Sequence, residues 1–386
     1  MIQSIVTRQG KPLLFSFDYP PRDGGISRLC AELVSGVLRG GVPVGVLSQV
    51  HHADLGSNIP AAEEVRVTAR RPWREWWAFQ ELRNGHARGP VICDIWYPEG
   101  LLAVLARVRP LVLLAHGLEL MPCRSIWRRP IWRVLCRWVL TRADIVVADS
   151  SYTAGLVRRA APAANVVPIS LAVDAERFSP ADRRQGRCRL GIPEDKRVLL
   201  TVARVNRYKG HDLVFQGLAT LPESVRERFV YLIAGRGADM ESLKAEADQL
   251  GLGTIVRWLG YVSEQHLPDL YRAADLFVLC TREAPDRAEV EGFGLVFLEA
   301  QACGTPVVGT RAGGIPDAVK HGKGGWLIHQ DDWRALAAIL RRLADNPEEF
   351  RAMGAVARRR VEADCTWDRY VDRFVAALKS SGIDGV

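Results

Sequence analysis

Two kinds of segment alternate along the chain. Short runs of Val, Leu and Ile are followed by longer stretches in which apolar positions return every three or four residues. In the first half, strands are predicted at 12–17, 43–48, 91–95, 111–115, 145–148 and 166–169, and helices at 26–39 and 125–141. The strand runs lack the apolar/polar alternation of a half-exposed sheet, so both faces are expected to be covered, as in a parallel sheet. A polar, Arg-rich stretch, 179–189, reads as a linker. The pattern then restarts, with strands at 198–203, 230–234, 255–258, 276–279 and 306–309. Helices are predicted between them at 211–220, 240–250, 264–273 and 295–302, and the tail, 332–378, is mostly helical. The repeated β–α order predicts an α/β, doubly wound architecture in two Rossmann-like domains.

Length and composition agree with this picture. A chain of 386 residues suggests two or three domains, and 48% hydrophobic residues belong to a globular protein. No apolar run reaches the roughly 18 residues of a membrane span; the longest, 101–114, is broken by Arg107, Arg109 and Pro110. The N-terminus has no signal-peptide pattern, and a cytoplasmic protein is expected. The eight cysteines are scattered without a CxxC pair or metal-ligand spacing, as expected of reduced buried thiols. The net charge of +8 points to an anionic partner and leaves nucleic acid, anionic lipid and a phosphate-bearing substrate open.

Motifs narrow the choice. In EGFGLVFLEAQACGTPVV, Glu291 and Glu299 bracket a glycine turn that enters a helix. Gly292 and Gly294 allow positive φ and close backbone approach, and amides at the helix start suit oxygen-rich or anionic ligands. Two carboxylates aimed at one pocket can accept several hydroxyl hydrogen bonds, as a sugar or ribose requires. Arg204 follows the strand at 198–203, and Lys209 comes just before Gly210 and a helix. Ligands of open α/β sheets bind at strand carboxyl ends, and these two cations suit a diphosphate. Arg207 is a stand-in for either. Gly24 and Gly25 open the first helix and let a phosphate or acceptor approach the backbone. His116 follows the strand at 111–115, where a cleft-facing and a merely structural histidine are both in keeping with the sequence.

The segment from Glu291 resembles the E-x7-E signature of the retaining glycosyltransferases of family 4. Other stretches resemble that family in the same order: PPRDGGISR at 20–28, DAERFSP at 174–180, ARVNRYKGHD at 203–212, IAGRGADMESL from 233, and LYRAADLFVLCTRE leading to the signature. The resemblance implies the GT-B fold: two Rossmann-like domains facing a central cleft. An acceptor domain is then expected over 1–180 and a donor domain over 190–365, with 366–386 carrying a helix that crosses back to the first. It implies that Arg204 and Lys209 hold the donor diphosphate, that Glu291 binds the sugar with the backbone of Gly292, Phe293, Gly294 and Leu295, and that Glu299 binds the ribose. It also implies a histidine at the position of His116 approaching the donor sugar. No Asp-x-Asp occurs, so no metal is expected to be required, and the nucleotide-sugar is a substrate rather than a cofactor. The loop between Leu279 and Glu291, with Glu283, Asp286, Arg287 and Glu289, is longer than in many members.

The stretch from Arg124 to Arg142 carries six arginines, three tryptophans and no acid. On a helix, Trp127, Ile131, Leu135 and Trp138 share one face, and Arg129, Arg133 and Arg137 another. With the stretch from Arg70 to Trp77 it suits a surface resting on anionic lipid; a core-facing stripe with a solvated arginine face suits it equally. No nucleic-acid module is recognisable. The expected activity is transfer of a hexosyl unit from a UDP- or GDP-sugar to a lipid-linked (polyprenyl) or glycan acceptor. The alternatives are a soluble acceptor such as an aminocyclitol, a sugar-nucleotide epimerase on the same fold, and a non-catalytic binding module, against which the complete set of charged motif residues argues.

Overall fold

In the computed structural model, residues 10–22, 24–49, 63–67, 70–84, 89–121, 129–284 and 289–385 are described. The chain divides into two compact units: Met1–Leu171 with Trp367–Val386, and Ala172–Thr366.

The first unit contains β1 (Leu13–Ser16), α1 (Gly25–Arg39), β2 (Gly45–Gln49), β3 (Glu63–Val67), α2 (Trp73–Arg83), β4 (Val91–Cys93), α3 (Leu101–Leu105), β5 (Leu111–Ala115), α4 (Arg129–Leu140), β6 (Ile145–Ala148), α5 (Ser151–Ala160) and β7 (Val166–Pro168). The strands form one parallel sheet in the order β3-β2-β1-β4-β5-β6-β7. β1, β2, β4, β5 and β6 are buried along their whole length, which is why their sequences are continuous apolar runs rather than alternating ones. Ser150 caps α5 by accepting a hydrogen bond from the Thr153 amide.

The second unit contains α6 (Arg183–Arg189), β8 (Arg197–Val202), α7 (His211–Ala219), α8 (Glu223–Arg226), β9 (Phe229–Ala234), α9 (Met240–Gln249), β10 (Val256–Gly260), α10 (Leu267–Ala273), β11 (Leu276–Leu279), α11 (Leu295–Ala302), β12 (Val307–Thr310), α12 (Ile315–Ala318), β13 (Gly325–Ile328), α13 (Trp333–Asp345) and α14 (Pro347–Asp364). Its parallel sheet runs β10-β9-β8-β11-β12-β13. The last helix, α15 (Trp367–Ser380), belongs to the first unit, where Asp368 pairs with Arg39 of α1 at 2.8 Å.

In each sheet the strand order reverses once, between β1 and β4 and between β8 and β11. Loops leaving the carboxyl ends of strands at such a switch point diverge, and the gap between them is where open α/β sheets bind ligands.

Two expectations need correction. The stretch 179–189 is not a linker: Arg183–Arg189 is helical, and Arg187 is buried with its guanidinium 2.5 Å from Asp275. The face expected on α4 is rotated. Trp132, Leu135 and Trp138 pack with Cys136, Val139 and Leu140 on the core, whereas Ile131 and Val134 are exposed. Trp127 lies outside the described residues.

Candidate functional site

The charged residues of the second unit meet at the carboxyl ends of β8 and β11. The chain leaves β8 through Arg204, makes a short turn at Arg207–Lys209 and enters α7 through Gly210. Gly210 has φ +79°, and a Cβ there would collide with the Cys280 carbonyl oxygen at the end of β11. Only glycine lets the basic turn lie this close to the neighbouring strand.

That closeness brings Lys209 to the acidic turn. Its Nζ lies 2.7 Å from Glu291 Oε2, and the pair is mostly buried. Burial opposes the lysine charge most strongly. Glu291, with a smaller contribution from Tyr208, outweighs it, so the lysine pKa rises overall. Arg204 is exposed, donates to the Tyr208 hydroxyl at 3.1 Å, and is near enough to Lys209 to oppose its charge. Arg207 points elsewhere, bonding Glu246 at 2.9 Å and lying 3.6 Å from Asp212. The geometry therefore separates the three basic residues of the motif.

Glu291 leads into α11 through Gly292, Phe293 and Gly294. Gly294 caps the helix at φ +92°, and a Cβ there would stand 2.7 Å from the Phe297 ring. Phe293 is buried, and Leu295 is half-buried at the first turn of α11. The Glu291 carbonyl accepts from the Gly314 amide at 2.9 Å, tying the acidic turn to the loop after β12. Glu299 lies one turn into α11, buried, and accepts from the Tyr271 hydroxyl at 2.7 Å. Lys209 and Glu291 thus form one direct pair, with Arg204 beside it and Glu299 deeper in the helix.

A residue that the motifs did not flag holds the basic turn in place. Arg282, three residues past β11, donates to both Asp212 oxygens at 2.8 and 2.9 Å, to the Arg207 carbonyl at 3.0 Å and to Asp331 at 2.6 Å. Its backbone amide donates to the Tyr208 carbonyl at 2.7 Å. A planar guanidinium is the side chain that can make a fork of this kind. Glu283 also belongs here: its amide donates to Gln330 and its carboxylate accepts from the Gly313 amide at 3.4 Å. Ala284 bridges to Glu289, while Asp286 and Arg287 fall outside the described residues.

The first unit carries its own polar cluster at the carboxyl ends of β1, β4 and β5. Gly24 and Gly25 are exposed at the start of α1, with Gly24 at φ +147°. His116 Nε2 lies 2.8 Å from the Asp94 carbonyl oxygen, so this nitrogen carries the proton and Nδ1 faces Asp149 at 4.0 Å. The His116 amide donates to Glu119 at 2.7 Å. Behind the histidine, Ser16 donates to Asp94 at 2.6 Å and the Phe17 amide donates to Glu99 at 3.1 Å. Burial, then Glu99, pushes the Asp94 carboxyl well above its usual range. Burial lifts Glu99 to about 7 and Asp149 to about 6, the latter against the opposing pull of His116. The only sequence signal for these acids is a lone acidic residue at the end of an apolar run, as in VICD and VVAD.

Among the described residues, no group of three or more His, Cys, Asp or Glu side chains is placed to hold a metal ion. No described helix is long and apolar enough to cross a membrane.

Comparison with known proteins gives consistent matches. Residues 23–177 match the family model described as Glycosyltransferase Family 4, and residues 182–360 match Glycosyl transferases group 1. The chain is 35% identical to a D-inositol 3-phosphate glycosyltransferase of Catenulispora acidiphila, over 78% of this chain and 75% of that protein. It is 31% identical to a GDP-mannose-dependent alpha-(1-6)-phosphatidylinositol monomannoside mannosyltransferase of Mycolicibacterium smegmatis, over 90% and 92%. Among solved structures, the sucrose-phosphate synthase of Thermosynechococcus elongatus superposes with a TM-score of 0.79 at 21% identity, covering 96% of this chain and 98% of that one. The shared architecture is the GT-B fold.

Proposed function

The chain belongs to the group 1 glycosyltransferases of family 4, and on that premise we propose that it moves a hexosyl unit, with retention at the anomeric carbon, from a UDP- or GDP-sugar to a hydroxyl of a lipid-linked or glycan acceptor. The observation that carries the reading is the Lys209–Glu291 pair at the switch point of the second sheet. Arg204 and Lys209 bind the diphosphate. As the glycosidic bond breaks, charge builds on the leaving phosphate, and two fixed cations stabilise that charge more than the ground state. Glu291 exchanges its lysine contact for hydroxyls of the donor sugar. Gly292, Phe293, Gly294 and Leu295 supply backbone at the start of α11, and Glu299 takes the ribose. His116 is assigned to the donor sugar on the family resemblance, and no general-base role is assigned to it.

Two observations favour a lipid-linked acceptor. The exposed faces of α2 and α4 are unusually apolar for a surface, with Trp73, Trp76 and Trp77 on the first and Ile131 and Val134 on the second. Arg70, Arg71, Arg133 and Arg137 accompany them, a pattern suited to an anionic membrane interface. The name of the Catenulispora relative favours a second reading, a soluble phosphorylated cyclitol acceptor, whereas that of the Mycolicibacterium relative, a phosphatidylinositol mannoside, stays with the lipid. Flotation with anionic vesicles separates them. Binding that is lost in Ile131→Glu/Val134→Glu supports the lipid-linked acceptor; no binding, with turnover on a soluble cyclitol phosphate, supports the other. Melting-temperature shifts across UDP-, GDP- and ADP-sugars identify the donor, and the absence of a shift with any of them would remove the transferase reading.

A further inference from the structure

At the opposite end of the strands of the second sheet, away from Lys209 and Glu291, the amino-terminal ends of β11 and β12 border an open cavity of about 430 Å³. That volume lies within the roughly 300–1,000 Å³ of small-ligand sites. Five arginines line it, Arg183, Arg272, Arg351, Arg358 and Arg359, against one lining acid, Asp275.

The acid is already committed. Asp275 lies 2.9 Å from Arg183 and 2.5 Å from buried Arg187, and it accepts from the Val198 amide at 2.8 Å. Two of the arginines are structural. Arg358 donates to the carbonyls of Ala175, Phe178 and Ala302 at 2.8–2.9 Å, and Arg272 donates to that of Ser179 at 2.6 Å. Both also pair with acids of their own helices, Arg358 with Glu362 at 2.7 Å and Arg272 with Asp269 at 3.3 Å, so their charge is partly matched and the excess rests on the cluster as a whole. Arg351 is exposed and reaches Glu348 in its own helix. Arg359 is exposed and makes no hydrogen bond or ion pair among the described residues.

The concentration of charge follows from helix geometry. Residues 351, 355, 358 and 359 fall on one face of α14, and Ala355 between the arginines keeps the cavity open. Gly354 lets the helix approach the turn before β12; a Cβ there would collide with the Gly304 carbonyl oxygen. The helix is thus held tightly against the turn before β12, and its arginines are fixed around the cavity.

We infer that this cavity is a second anion site, separate from the donor site, and that it takes a small oligophosphate bearing at least two phosphoryl groups. Arginine forks match phosphate oxygens in pairs, and a dianion or trianion relieves the mutual repulsion of the cluster. Because Arg358 and Arg272 also hold the segment 175–179, occupancy stiffens that segment.

The test uses Lys209→Ala, in which the donor site is disabled, titrated with inorganic pyrophosphate and tripolyphosphate by calorimetry at low salt. The site predicts one bound anion per chain, with affinity falling at least about tenfold in the same background carrying Arg351→Ala/Arg359→Ala. Those two side chains are exposed, and the surface pair of Arg351 with Glu348 contributes little, so the double variant should melt close to its parent. UDP or GDP binding no tighter than pyrophosphate would locate recognition in the phosphates, whereas tighter binding would overturn the assignment to a simple oligophosphate. No pyrophosphate or tripolyphosphate binding at about millimolar concentration, or binding that the double substitution leaves within about threefold, overturns the site. Should Lys209→Ala fail to fold, the wild-type protein must bind two pyrophosphates and the Arg351→Ala/Arg359→Ala protein one; equal stoichiometry overturns it.

Discussion

Replacing Lys209 with alanine tests the catalytic centre and separates its two roles. In the unliganded protein the lysine neutralises Glu291 at 2.7 Å, with its side chain 10% exposed and that of the glutamate 19%. Breaking a fully buried pair costs about 3–5 kcal/mol, but the partial exposure of Glu291 lets water reach the orphaned carboxylate, so about 1–2 kcal/mol is expected. For a unit of roughly 200 residues that corresponds to a fall in melting temperature of about 2–8 °C, leaving the protein folded at 25 °C. The effect on the reaction is larger. Losing one preorganised donor to a developing oxyanion costs about 3–4 kcal/mol, or roughly 10²–10³ in kcat. Steady-state product formation from the matched nucleotide-sugar, run beside thermal melting, reads both quantities. If Lys209→Ala melts a few degrees lower yet keeps kcat within about threefold of wild type, the lysine serves only to pair Glu291 and the diphosphate role is wrong.

Three further predictions follow from the same geometry. Gly294→Ala must adopt φ +92° with a Cβ 2.7 Å from Phe297, costing about 1–3 kcal/mol by melting and displacing the α11 turn enough to lower kcat/KM; a neutral result would mean the turn relaxes freely. Arg282→Lys loses the fork on Asp212 and Asp331, so melting should fall by the equivalent of about 1–3 kcal/mol and the KM for donor should rise more than kcat falls; an unchanged KM would show that the clamp does not position the basic turn. Glu99 binds its proton more tightly in the fold, at about 7, than in the unfolded chain, where glutamate titrates near 4.3. Its contribution to stability is therefore complete at low pH and declines as pH rises between those two values. Glu99→Gln should flatten that part of the melting-temperature profile and gain up to about 3–4 kcal/mol relative to wild type at pH 8; an identical slope in both proteins would assign the proton elsewhere in the cluster.

Much of the architecture was readable because buried parallel strands leave an unmistakable trace. LVLLA at 111–115 and VLLTV at 198–202 are apolar on both faces, and the sheets follow. Strand β3 was missed for the opposite reason: EEVRV at the sheet edge has one neighbour, and the edge position tolerates charge. β13, GWLI, is short and begins with glycine, so it looks like a turn in isolation. The Lys209–Glu291 meeting could be expected because motif order and the switch-point rule place both at neighbouring strand ends. The Arg282 fork and the Arg187–Asp275 pair could not, since their partners stand 70 and 88 positions apart along the chain and an arginine after a strand usually faces water. The rotation of α4 was hidden for a related reason. Both candidate stripes contain tryptophan and leucine, and only the contact with Trp96 and Tyr97 selects the one carrying Trp132.

The placement of α15 in the first unit makes that unit discontinuous, with the second unit spliced into it as an uninterrupted guest. During synthesis all of residues 172–366 leave the ribosome before the helix that completes the host. The guest can therefore finish folding while α1 still lacks its partner, and the host can close only once α15 has emerged. A released chain that stops near residue 366 should keep a protease-resistant second unit beside a first unit that is still being cut.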